Sequence, residues 1–283
     1  MTPVNDPKPS DEIPVDMPKI KEKIEISWQA IFSGFMYIFM YLPIIVLTFY
    51  SFNKSRYGAE WKGFTLEWYA KLFADTRILS ALRYSLMVAL LAVGIAAIFG
   101  TLMAVGLSKY NFRGKSLYLG VSYLPLIIPD IAIAVATLVF LAAMAIKLSL
   151  WTIVAAHIVF CLAYVGLVVS TRLADLDPHL EEAALDLGAS PTEAFLQVLL
   201  PQLMPGIVSG CLLAFVLSMD DFLIASFTAG SGVTTLPMEI FSRIRTGVKP
   251  DINALSVMLI SASAFLAIIA EFFRLRGENR RSF

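Results

Sequence analysis

The chain has 283 residues, of which 58% are hydrophobic and 16% charged, with a formal net charge of zero and a mean hydropathy of +0.75. That is too much apolar side chain for one water-soluble core of ordinary composition, so the chain reads as an integral membrane protein. The balanced charge, with no long basic tract, excludes the electrostatic footprint of a nucleic-acid binder.

Residues 1–27 are polar and carry Pro3, Pro7, Pro9, Pro14 and Pro18 among charges, the composition of a disordered tail rather than of a cleavable signal. The first apolar stretch is therefore expected to stay as an uncleaved anchor. A bilayer core about 30 Å thick needs about 20 mostly apolar helical residues. Six stretches qualify, at 28–52, 79–107, 117–146, 150–170, 203–227 and 254–273. Backbone groups cannot stay unpaired in lipid, so stretches this long and continuous mean helices. The expected fold is an all-α, polytopic bundle of six spans over 28–273, followed by a basic tail at 274–283.

Lys and Arg divide almost evenly between the two faces, but the N-terminal KIKEK, the NFRGK turn and the C-terminal RLRGENRR share one side. That side is expected to be cytoplasmic, with both termini and the 171–201 loop on it, and with 53–78 and 228–253 exported. Within the NFRGK turn, FRGKS suggests a phosphate loop, yet the position that would need glycine is Lys109. No nucleotide-binding, zinc or nucleophile motif occurs elsewhere, so no chemistry is assigned to this chain and its energy must come from a partner.

In the third span, Pro125 and Pro129 interrupt the helix and Asp130 follows. A carboxylate there suits the first turn of a restarted helix, and equally a pathway wall. The fourth span holds His157, a packing residue or a titrating one. Cys161 and Cys211 lie in apolar runs, where a cysteine acts as a small hydrophobe, and no disulfide or metal site is read.

The inner loop contains two helix starts. Asp177 precedes Pro178, and Ser190-Pro191-Thr192-Glu193 is a capping box with proline at its first helical position. Gly188 between them can take the left-handed conformation that ends one short helix. A compact helix–turn–helix closed by Pro201 follows. Ala183 and Ala184 give its first helix a shallow face, ringed by Glu181, Glu182 and Asp186.

Gly206 and Gly210 open the fifth span as GxxxG, which permits close helix approach; no dimer interface is assigned to it. Asp220 and Asp221 then sit inside the same apolar run. A charge at the bilayer centre costs roughly 2.5–3.5 kcal/mol even on the lenient insertion scale, so the pair needs water, a partner or a cargo. On one helix they would stand about 100° apart, one toward a pathway and the other toward a neighbouring helix, and spacing does not decide which. In the last outer loop, Pro237 starts a short helix with Met238, Ile240, Phe241 and Ile244 apolar and Glu239, Arg243 and Arg245 charged, suited to lying across an outer mouth.

EAALDLGASPTEAFLQVLLP, residues 182–201, resembles the EAA loop of permease subunits in type I ABC importers, with Val198 in place of the usual isoleucine. PLIIPDIAI at 125–133, HIVFCLAYV at 157–165, LSMDDFLIASF at 217–227 and LPMEIFSRIRTGVKPDINAL at 236–255 are similar to the permeases of spermidine/putrescine importers, above all to the second permease of such a pair. The resemblance implies a MetI-like fold in a bacterial inner membrane and import of a polyamine. It implies an ATPase-coupling elbow through Glu182, Ala183, Ala184, Gly188, Leu200 and Pro201; for such a cargo the residues themselves make Asp220, Asp221, Asp130 and His157 the candidate pathway groups, each with a purely structural role as the alternative. Implied partners are two copies of an ATP-binding subunit holding ATP and magnesium, a second permease, a periplasmic binding protein and membrane lipid. Rival readings are a permease for another cationic or neutral solute, an ion-coupled carrier, for which no clear repeat is found, and a membrane enzyme using His157 with an aspartate on another span.

Overall fold

The computed structural model describes residues 28–55, 60–247 and 250–279, with side chains through residue 265. The 1–27 tail and residues 280–283 lie outside the described residues. Every long element is helical, and among the described residues the one β-type pairing is an isolated bridge between Asn53 and Phe64.

Two compact units divide the chain after Val46. The first contains most of α1 (Trp28–Ser51), an apolar helix whose side chains are exposed as far as Val46. A helix that is apolar all round and buries so little of itself requires a lipid or protein surface.

The second unit is built around α3 (Thr76–Lys109), α6 (Leu150–Ala174) and α9 (Leu200–Asp220), packed against one another. Small residues bring these backbones close. A Cβ on Gly100 would stand 3.1 Å from the Leu162 carbonyl, and one on Gly210 3.2 Å from the Val165 Cα. The GxxxG of the fifth span therefore serves contact within the chain, against α6. Around the trio lie Ala92, Ala96, Cys161, Val165, Leu203 and Ala214, all fully buried.

The third expected span is not one continuous helix. It consists of α4 (Lys115–Tyr123), a short 3₁₀ turn at Leu124–Leu126, and α5 (Asp130–Ala143), bent by 107° at the break. Pro125 and Pro129 remove two donors and clash with the preceding turn, so the helix restarts rather than kinks.

At one end of the bundle, α7 (Leu180–Asp186) ends in Gly188 at φ +93°. The Ala189 amide then bonds back to the Ala184 carbonyl. Asp177 caps a turn by accepting from the His179 amide at 2.9 Å, and the helix begins only at Leu180, two residues beyond the expected start. The capping box forms: Ser190 N–H and hydroxyl donate to the Glu193 carboxylate, and the Glu193 amide donates back to Ser190 Oγ.

Pro201 does not close this elbow. From α8 (Pro191–Glu193) the chain runs without a break through a π-helical stretch, Ala194–Leu199, into α9, so 191–220 form one 30-residue helix. The wide turn, in which the Leu200 amide reaches back to the Phe195 carbonyl, absorbs the prolines that follow. Lys109 at the end of α3 forms an ion pair with Glu181, which fixes the elbow and the α3–α4 turn at the same end.

At the other end, α2 (Glu67–Ala74) leads into Asp75, whose carboxylate caps α3 through the Arg77 and Ile78 amides. The helix α11 (Leu236–Arg245) and the start of α12 (Pro250–Asn279) meet there. Among the described residues, four helices are long and apolar enough to span a membrane, five with the bent pair, and the described part of α12, Pro250–Phe265, is a shorter apolar helix, a number roughly consistent with the expected six.

Candidate functional site: an acidic cavity at a helix break

The fifth expected span also breaks, at the two carboxylates. α9 stops at Asp220, Asp221 is extended (φ −66°, ψ 120°), and a new helix, α10, begins at Leu223 and runs to Thr228. The two aspartates are therefore not neighbours on a single helix, and the 100° separation does not apply. The break has a local cause. Asp221 accepts from the amides of Ile224 (3.2 Å) and Ala225 (2.8 Å), an N-terminal cap that satisfies donors α10 would otherwise leave open in an apolar setting.

Asp221 is also held from α6. His157 Nε2 lies 3.3 Å from Asp221 Oδ2, while His157 Nδ1 is 2.8 Å from the Ser218 hydroxyl. The first contact has ion-pair distance but not hydrogen-bond alignment, so Nε2 is otherwise a buried polar atom without a partner. His157 is 1% exposed and stands behind the cavity rather than in its wall. Sequence places His157 and Asp221 on separate spans, and the fold brings them together. The buried Ser218 hydroxyl is 4% exposed, so the trio is a packing network and not an accessible nucleophile.

Asp220 is the more open of the two carboxylates. It is exposed and lines a cavity of ≈ 280 Å³ that Asp130 and Asp221 also line. Thus three carboxylates from α5, α9 and the break converge, although Asp130 is far from the other two in sequence. Asp130 sits in the first turn of α5, where the helix dipole favours its charge. Phe160, Tyr164 and Phe222 supply aromatic walls. Sequence reading missed these rings; His157, Phe160 and Tyr164 stand at i, i+3 and i+7, the spacing of one helix face, and that is the signal that marks them.

Asp220 borders a second, larger cavity as well. This one is ≈ 670 Å³, mostly apolar, and lined by Met219, Phe222, Ile240, Phe241 and Ile244 among others. Phe222 stacks at a tilt on Phe241 of α11, ring centroids 4.3 Å apart, so the break is tied to that helix. The charged face of α11 is engaged too. Arg243 contacts Asp75 (2.7 Å), Glu239 (2.8 Å) and Asp251 (3.2 Å). Burial pulls the Arg243 guanidinium down, yet its bonds to Asp75 and Glu239 outweigh this and hold it above its usual range. Asp75 shows the converse: burial pushes up, but Arg243 and the Ile78 and Arg77 amides hold the carboxyl below its usual range.

The elbow residues form a separate group at the opposite end of α3. Ala184 is buried, while Glu182 is exposed and bonded to His179 at 2.9 Å. That bond, then the charges of Glu182 and Asp177, raise the His179 pKa. Leu200 and Pro201 lie in the continuous helix beyond the elbow and not in its turn.

Residues 96–281 match the family model described as "Binding-protein-dependent transport system inner membrane component". The chain is 41% identical over 261 residues, 90% of its length and 93% of the relative's, to the putrescine transport system permease protein PotI of Escherichia coli K12. It is 40% identical over 248 residues, 88% and 96% of the two lengths, to the spermidine/putrescine transport system permease protein PotC of Haemophilus influenzae. Among solved structures, a chain of a bacterial ABC transporter involved in import of the acidic polysaccharide alginate superposes with a TM-score of 0.67 at 15% identity, over 87% of this chain and 95% of that one. That likeness speaks to the fold.

Proposed function

We propose a role in polyamine import from one premise: the chain belongs to the family of binding-protein-dependent transport system inner membrane components. It is the permease subunit of an ATP-driven importer in a bacterial inner membrane, with both termini cytoplasmic, and its cargo is putrescine or spermidine.

The convergence of Asp130, Asp220 and Asp221 on one aromatic-walled cavity carries this reading. A polyamine presents ammonium groups joined by alkyl segments. Carboxylates replace water around each ammonium, and the faces of Tyr164 and Phe160 attract cations and pack alkyl chain. An anionic cargo is repelled by the same three charges. Asp220 borders both the acidic cavity and the larger apolar one, which suits a cargo that is alternately charged and apolar along its length.

The elbow of Glu182, Ala183, Ala184 and Gly188, with Leu200 and Pro201 behind it, docks on an ATP-binding subunit, two copies of which hold ATP and magnesium. A second permease completes the path, and a periplasmic binding protein delivers cargo near α11. ATP closes the ATPase pair, the elbow moves, and the spans open outward. Each ligand drives this only through its different affinity for the two states.

The test is uptake of labelled putrescine and spermidine by cells carrying Asp220→Asn or Asp221→Asn at matched membrane levels. Asp220→Asn lowers uptake about tenfold or more, the equivalent of one lost charge-assisted hydrogen bond. Unchanged uptake in both variants removes the cargo-path role, and uptake that persists without any ATPase subunit removes the importer reading.

A further inference from the structure

An outward-facing groove of ≈ 550 Å³ lies where α3 ends and α4 begins, at the same end as the elbow. Its walls include Phe99, Leu102, Tyr110, Phe112 and Tyr118, all substantially exposed. Gly106 also lines it, and a Cβ built there meets nothing within 4 Å, so the space beside the helix is open. The adjoining turn is basic. Arg113 is exposed and, among the described residues, forms no ion pair, and Lys115 donates only to Asn111 at 3.1 Å.

We propose that this groove binds an anionic phospholipid, one acyl chain lying along the aromatic walls and the phosphate against Arg113 and Lys115. An apolar slot whose wall residues Phe112 and Tyr118 bracket a turn carrying Arg113 and Lys115, at the end of a membrane helix, matches the two halves of such a lipid: chain to slot, phosphate to guanidinium and ammonium. Tyr110 and Tyr118, amphipathic rings at the level where slot gives way to charge, suit the headgroup boundary. The same cations repel a polyammonium, so the groove is not a branch of the cargo path. Its position has a further effect. Tyr110 and Gly106 of the groove flank Lys109, which pairs with Glu181 of the elbow, so a bound headgroup sits beside the contact that fixes the elbow to α3.

The full chain, reconstituted in nanodiscs of equal phosphatidylglycerol and phosphatidylethanolamine and released intact into a mass spectrometer, reports which lipid it retains. Phosphatidylglycerol is retained in excess, by about fivefold for each basic residue at the headgroup. Arg113→Gln with Lys115→Gln, both on the surface turn, returns retention to the bulk ratio. Gly106→Leu fills the slot and lowers retention of both lipids at an unchanged melting temperature. Retention at the bulk ratio by the unaltered chain overturns the proposal. So does displacement by glycerol phosphate alone, which shows a bare phosphate site, and so does full retention by the surface double variant.

Discussion

Oδ2 of Asp221 stands 3.3 Å from Nε2 of His157 and accepts the Ala225 amide at 2.8 Å, so a single carboxylate oxygen joins α6 to the first turn of α10. Asp221 and the adjacent Asp220 both line the acidic cavity. Asp221 thus both builds the break and borders the cavity that the break opens.

His157→Phe leaves both the Ser218 hydroxyl and the Asp221 carboxylate without their buried partner, at a cost of about 1–3 kcal/mol. Ser218→Ala removes one neutral hydrogen bond and costs about 1 kcal/mol. Thermal unfolding of the purified chain in detergent should rank wild type above Ser218→Ala above His157→Phe. Identical melting of His157→Phe and wild type would show that the imidazole holds nothing.

Gly188 at φ +93° is a position that L side chains resist, by about 1–2 kcal/mol for an ordinary residue and more when β-branched. Gly188→Asn, which tolerates the left-handed region, is expected to retain most ATP-driven uptake, whereas Gly188→Val loses it while insertion and level stay normal. Equal uptake by the two variants contradicts a requirement for that turn.

Gly230 packs against backbone: a Cβ there would sit 2.1 Å from the Leu148 carbonyl oxygen and 2.7 Å from the Ser149 Cα. Neither neighbour can rotate away. Gly230→Ala should cost at least the roughly 1–3 kcal/mol of an overpacked core, and Gly94→Ala, where nothing lies within 4 Å, should melt at or above the wild-type temperature. A Gly230→Ala protein as stable as wild type would mean that the α10–α6 junction is looser than described.

Strong acid should weaken the ion cluster around Arg243. The folded-state pKa of Asp75 is depressed, so its contribution is fully present above the unfolded value, about 3.9, and disappears as pH falls through the folded value. Asp75→Asn keeps a competent helix cap and discards the charge. Its melting temperature should be lower than wild type at neutral pH and should change less between about pH 5 and pH 2. Parallel acid curves for the two proteins would assign the acid limb to other carboxylates.

Local chemistry made the elbow legible. Ser190 and Glu193 at capping-box spacing, and Gly188 between two helices, specify their own geometry with little help from the rest of the fold. The two breaks were less legible, for different reasons. Pro125 and Pro129 mark an interruption, but the 107° between its arms is set by what α5 packs on, including α10. At Asp220 no proline or glycine warns of an ending, and the hydropathy of MDDFLIASF carries straight through; what stops the helix is a carboxylate turned to cap the next one. The cavity needed the whole fold, because Asp130 meets Asp220 only after the third and fifth spans have both broken. On α11, the apolar and charged faces read correctly as a pattern, yet Arg243 is occupied by three carboxylates, two of them on other elements.

The unbroken run from Pro191 to Asp220 makes a stiff strut about 45 Å long at 1.5 Å per residue. Its foot is the Ser190 cap and its head is the carboxylate that borders both cavities. With compliance confined to the π turn and the prolines near the foot, a tilt imposed at the foot swings the far tip through a wider arc than the base. Geometry alone thus gives a small nudge leverage over the mouth of the acidic chamber.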